Sequence, residues 1–203
     1  MTKKNLIFDF DSTLLKMETI EILAEIALRE NKNKNIILEE IKKITSLAMT
    51  GKMPFSTALK KRISLLDIQA FHIDETIIFL KNKLSNSFYE TIEHFQMHSD
   101  NIFIVSGGFK EIICPILKPY KFNEKNIFAN TFLPSKKDTL KIDETNALSK
   151  DKGKTLIANN IRGYNIIIGD GYTDYELKKF GSAKEFILFV ENIYRLELKN
   201  KAN

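Results

Sequence analysis

Four short apolar runs, at residues 5–10, 102–105, 165–168 and 186–190, constrain the fold of this chain more than any other feature. Each has the length of a buried strand. Helical patterns at residues 111–117, 152–160 and 173–180 alternate with the last three. Strand alternating with helix predicts an α/β, doubly wound, mostly parallel sheet with helices on both faces. From about Glu18 to Phe95 the period is helical instead, through Ile20, Leu23, Ala24, Ala27 and Leu28, then Leu38, Ile41, Ile44 and Leu47, and onward to Leu84. A small all-helical insert is therefore expected after the first strand, above the sheet. The expected division is a core of 1–16 and 90–203 and a helical cap of 17–89. Residues 128–133 are a further candidate strand, with 140–142 as its partner.

Composition narrows the class. Hydrophobic residues are 43% and charged residues 28% of 203, which excludes a disordered chain, and eight Gly with four Pro exclude a fibrous one. No apolar run approaches the roughly 18 residues of a membrane span. The first residues run straight into an apolar segment that holds an aspartate, unlike a secretory signal. A single cysteine, Cys114, excludes an internal disulfide framework and a Cys-based zinc site. These readings predict a cytoplasmic protein without a membrane partner. The net charge of +5 is carried almost entirely by Lys, with four Arg. No basic stretch is interleaved with aromatics, so no nucleic-acid partner is expected.

The chemistry-bearing residues lie where predicted strands end. The first strand runs into Asp9-Phe10-Asp11-Ser12-Thr13. Alternate strand residues share a face, so Asp9 and Asp11 project together. Two such carboxylates repel unless a cation sits nearby, and Mg²⁺ suits them because it keeps positions open for phosphate oxygens. A polar strand end turning into a loop would carry the same residues. The second strand ends in Ser106-Gly107-Gly108, whose hydroxyl, backbone N–H groups and following helix suit an anion. Gly-Asp170-Gly ends the third run, where Asp170 could complete a cation site and Asp174 could cap the next helix. Lys152, at the start of a helix between these motifs, could neutralise a phosphate.

Taken in order, acid pair, Ser-Gly-Gly, Lys and Gly-Asp-Gly resemble the haloacid dehalogenase superfamily of phosphatases. The helical insert resembles that superfamily's small cap. Within it the chain is most similar to the phosphoserine phosphatase branch, through Phe8 to Leu14 with Glu18, Met49-Thr50-Gly51-Lys52, Phe55, Lys61 to Leu66, and Val105 to Phe109. The similarity runs from about residue 6 to 192. It implies a Mg²⁺-dependent phosphomonoesterase acting on O-phospho-L-serine, the last step of serine biosynthesis, with no partner beyond a small phosphate ester and a monomer or homodimer as the assembly. It implies Asp9 as nucleophile and Asp11 as acid and base. Mg²⁺ would be held by Asp9, the Asp11 carbonyl and Asp170, and the phosphoryl oxygens by Ser106, Gly107 and Lys152. Glu18 would meet the substrate ammonium, Arg62 its carboxylate, and Met49 and Phe55 would wall the lid. Thr173 stands where many relatives carry Asn, which predicts tuning rather than loss. Relatives usually continue beyond the last strand, so the sheet is expected to be one strand smaller or covered by another chain. Another small ester such as phosphoethanolamine, and a non-catalytic phosphoserine-binding protein, are the alternative readings.

Overall fold

Strand β1 (Lys4–Phe8) lies at the centre of a five-stranded parallel sheet. A computed structural model describes residues 3–203; Met1 and Thr2, where the amino-terminal stretch begins, lie outside the described residues. The sheet order is β3-β2-β1-β6-β7, with β2 at Ile102–Phe109, β3 at Ile127–Asn130, β6 at Tyr164–Gly169 and β7 at Glu185–Leu188. Buried Ile7, Ile104, Val105 and Ile167 make the strands near-continuous apolar runs, as a sheet covered on both faces requires. β1 pairs with β2 on one side and with β6 on the other, all in parallel. Three motif-bearing strand ends therefore open on one edge, at the point where the strand order reverses, which is where open α/β sheets bind ligands.

Four helices follow β1: α1 (Thr19–Ala27), α2 (Lys34–Met49), α3 (Phe55–Ser64) and α4 (Ala70–Leu80). Leu23, Ala24, Ile41, Leu59, Ile73 and Leu80 turn inward and join one apolar cluster that continues onto the sheet through Ile102 and Ile104. The segments leading into and out of these helices run side by side: Leu15 bridges Leu84, Lys16 N–H donates to the Lys83 carbonyl at 2.9 Å, and Ser85 N–H donates to the Leu14 carbonyl at 2.9 Å. Short helices α5 (Asn86–Glu90) and α6 (Ile92–Met97) return the chain to the sheet, and α7 (Lys110–Leu117) follows β2.

The candidate strand at 128–133 divides in two. Ile127–Asn130 joins the main sheet, while β4 (Phe132–Pro134) turns away to pair antiparallel with β5 (Leu140–Ile142). Phe132 stacks on Phe109 at 3.8 Å between centroids, which holds this ribbon beside the end of β2. Helices α8 (Gly153–Ala158) and α9 (Tyr172–Lys179) flank β6. At the outer edge of the sheet, Asn203 pairs in both directions with Phe186: its N–H donates to the Phe186 carbonyl at 3.0 Å and its Oδ1 accepts from Phe186 N–H at 2.8 Å. Among the described residues no helix is long and apolar enough to cross a membrane.

Candidate active site

The tight loop Phe10–Leu14 after β1 sets the geometry of the acid pair. Asp9 Oδ1 accepts from Phe10 N–H at 2.7 Å, and Ser12 takes a left-handed conformation at φ 54° that turns the chain back. Asp11 points at the start of α1, where Thr19 N–H donates to its Oδ1 at 3.2 Å and the Thr19 hydroxyl bonds the same oxygen. Burial first, and the Glu18 charge second, push Asp11 up to about 8, which favours its proton-bearing form at neutral pH.

Lys154 joins this pair from α8. Its Nζ lies 2.8 Å from Asp9 Oδ2 and 2.7 Å from Asp174 Oδ1, with all three side chains buried. Burial alone would lower the Lys154 pKa, but Asp174 and Asp9 outweigh it and hold the ammonium charged. Asp174 also accepts from Gly171 N–H at 3.0 Å, so it caps α9 while it orients Lys154. A Cβ on Gly169 would come within 2.3 Å of the Asp174 carboxylate, so the close approach of strand and carboxylate requires glycine there. Burial, then Asp9, raises Asp174 to about 7 against the pull of Lys154.

The structure places Lys154, and not the expected Lys152, beside Asp9. Lys152 sits at φ 57°, just outside the helix, and its ammonium lies over the Phe180 ring at 4.3 Å. Gly153 packs so tightly on the Ala147 carbonyl that a Cβ would approach it to 2.4 Å. The next residue, Lys154, then falls on the buried face of α8. A signal for it existed in the sequence: Lys154 and Ala158 are i,i+4, so this lysine shares an apolar helix face.

Oxygens of Asp9, Asp170 and Asp174 all lie within 4.8 Å of one another, and all three residues are buried. A cluster of hard carboxylate oxygens without His or Cys is compatible with a divalent ion of the Mg²⁺ type. Burial first, then Glu18, pushes Asp170 well above the ordinary carboxylate range, and Arg195 opposes both. Asp11 aims its carboxylate at Thr19 and stands outside this cluster.

Asp9, Asp11, Glu18, Met49, Phe55, Arg62, Ser106, Gly107, Lys154 and Thr173 line one cavity between the strand ends and the helices above. Ser106 Oγ accepts from Gly108 N–H at 3.0 Å, which leaves its proton free to donate. The Thr173 hydroxyl is buried with no partner among the described residues. Phe55 closes over Gly107, where a Cβ would meet its ring at 2.6 Å. Arg62 is 3% exposed; its Nε donates to the Ala58 carbonyl at 3.2 Å and Nη1 to Thr45 Oγ1 at 3.1 Å. No carboxylate lies within ion-pair distance of it among the described residues. Burial lowers its pKa, while Glu18, Asp11 and Glu21 oppose the shift.

No family model matches the chain. Phosphoserine phosphatase from Methanocaldococcus jannaschii is 33% identical over 190 residues, covering 90% of this chain and 84% of the relative. The chain belongs to the phosphoserine phosphatase family. Chloroplastic phosphoserine phosphatase from Arabidopsis thaliana is 30% identical over 188 residues, covering 90% of this chain, which spans 61% of that relative's length. A crystal structure of a phosphoserine phosphohydrolase-like protein from Francisella tularensis shares 34% identity at a TM-score of 0.89, covering 98% of this chain and 93% of that one. A structure described as a phospho-aspartyl intermediate analogue of phosphoserine phosphatase shares 30% identity at a TM-score of 0.79, covering 100% and 92%. Phosphoserine phosphatases are phosphoric monoester hydrolases, and the parallel sheet under a helical cap is their haloacid dehalogenase fold.

Beside the family motifs, the structure brings in residues that sequence reasoning missed. Asn130 Nδ2 donates to the Gly107 carbonyl at 2.9 Å and fixes the orientation of that peptide. Arg195, 177 positions beyond Glu18, lies 3.5 Å from Glu18 Oε1. Glu18 Oε1 also accepts from the Ser12 hydroxyl at 2.8 Å. Neither Asn130 nor Arg195 lies in a periodic or motif-like setting, so no local signal marked them.

Proposed function

We propose that this protein hydrolyses O-phospho-L-serine to L-serine and phosphate through an aspartyl (acyl) phosphate on Asp9. The observation that carries the substrate class is Arg62, a buried guanidinium that lines the same cavity as Asp9 and has no carboxylate partner among the described residues. A buried charge without a counter-charge is costly, so its partner is expected to arrive with the ligand. An Arg fork suits a planar carboxylate, and Glu18 in the same cavity suits an ammonium. Together they fit a zwitterionic amino acid attached to phosphate.

In this reading an Asp9 oxygen attacks phosphorus and the ester P–O bond breaks toward serine. Asp11 gives its proton to the departing alkoxide, then takes one from the water that attacks the aspartyl phosphate, which releases phosphate and restores Asp9. Lys154, Ser106, Gly107 N–H and Thr173 hold the phosphoryl oxygens and offset the charge that grows in the transition state. Asp9, Asp170 and the Asp11 carbonyl would hold Mg²⁺, which supplies charge neutralisation to the phosphoryl group. Met49 and Phe55 exclude water while the ester is bound.

The test is kcat/KM for phosphoserine and phosphoethanolamine across variants. Arg62→Ala lowers phosphoserine use by roughly 10- to 150-fold, the loss of a charge-assisted hydrogen bond of about 1.5–3 kcal/mol. Phosphoethanolamine has no carboxylate, so its rate changes little. Glu18→Gln impairs both esters, because both carry the ammonium. Equal losses for both esters in Arg62→Ala would remove the carboxylate-binding role. Phosphate release should also stop in a chelator and return with added Mg²⁺, and full turnover in the chelator would exclude the metal.

A further inference from the structure

Arg195 stands in an unusual place for a chain that uses Lys for nearly all of its positive charge. Of four Arg among 31 basic residues, two, Arg62 and Arg195, are buried at this site. Arg195 Nε donates to Asp170 Oδ2 at 2.9 Å and Nη2 meets the same oxygen at 2.8 Å, while Nη2 lies 3.5 Å from Glu18 Oε1. Asp170 is one of the three clustered carboxylates, and its other oxygen lies 3.4 Å from the Thr13 hydroxyl.

The segment that delivers Arg195 is anchored independently of it. Glu191 accepts from the N–H groups of Asn86 and Ser87 at 2.7 and 3.3 Å, and Asn192 Nδ2 lies within 3.3 Å of the carbonyls of Ser12, Thr13 and Leu15. Beyond Arg195, Leu198 is buried, and Asn203 is tied to Phe186. The guanidinium is thus free to shift its contacts without loosening the tail.

We propose that Arg195 is a tethered internal cation that competes with the divalent metal for Asp170, and so sets how weakly the site holds that metal. This rests on the metal reading of Asp9 and Asp170 above. A guanidinium bonded to a ligand oxygen must either yield that oxygen or stay beside a doubly charged ion. A unit charge about 5 Å from a divalent one is worth about a tenfold change in affinity even with water-like screening. Arg195 is a positioning residue in this account. It acts through Asp170, and it remains within reach of Glu18 when Asp170 is taken.

Calorimetric titration of Mg²⁺ into the wild type, Arg195→Gln and Arg195→Lys tests this without any turnover, with thermal unfolding as the check that each variant folds. Gln keeps a donor but loses the charge, so its Kd should be roughly 5- to 50-fold lower than wild type. Lys keeps the charge but loses the two-pronged contact, so its Kd should fall between the two. A Kd equal to or above wild type in either folded variant overturns the proposal and leaves Arg195 as a structural bridge. Absence of any Mg²⁺ binding by the wild type instead overturns the metal reading on which the proposal rests.

Discussion

Replacing Asp9 by Asn is expected to lower kcat by about 10⁴- to 10⁶-fold, the scale on which removal of a covalent nucleophile falls. The fold should survive, because the amide keeps the volume of the carboxylate, still accepts from Phe10 N–H, as Asp9 Oδ1 does at 2.7 Å, and leaves Lys154 its second counter-charge, Asp174. The variant should also fail to accumulate an acid-stable, base-labile phosphoprotein when mixed with phosphoserine and quenched. A folded Asp9→Asn protein that turns over near the wild-type rate would exclude Asp9 as nucleophile. Burst-phase kinetics on the wild type give the complementary reading, since the first turnover should label the protein before phosphate appears.

Lys154→Met should fail for a second reason as well as the loss of chemistry. Lys154 is the shared cation of Asp9 and Asp174, and all three are buried. Breaking a buried ion pair by removing one partner costs about 3–5 kcal/mol, because the remaining charge has no counter-ion. For a chain of this size that corresponds to a fall in Tm of roughly 6–20 °C. Turnover should fall by about 10²- to 10³-fold beyond any effect of instability, as loss of one transition-state donor does. Lys152→Met is the matched control. Its ammonium rests over the Phe180 ring, so only small changes in either quantity are expected. Equal behaviour of the two variants in thermal unfolding and phosphate release would contradict this assignment of roles.

The amino-acid sequence by itself determined the strand-helix alternation, the helical insert and the placing of Asp9 and Asp170 just past strand ends, whereas the strand expected to end before Ser106 runs on through it to Phe109. These are local properties. Apolar runs of strand length encode buried parallel strands, and a 3.6-residue period encodes helices that bury one face. Parallel pairing of β1 with its two neighbours then carries the three strand ends to one edge. Arg62 and Glu18, which line the same cavity as Asp9, were singled out only through the likeness of their stretches to a known family. What only the tertiary structure decided depends on direction and on long-range closure. Lys154 rather than Lys152 meets Asp9, because the left-handed backbone at Lys152 and the packing of Gly153 set which side chain turns inward. The run at 128–133 splits between two sheets because β3 continues the main sheet while Phe132 stacks on Phe109. Asn192 and Arg195 reach the loop after β1 and Asp170 across the whole fold. No period or spacing encodes such a contact, since its position is fixed by where β7 and the following segment return to the sheet edge.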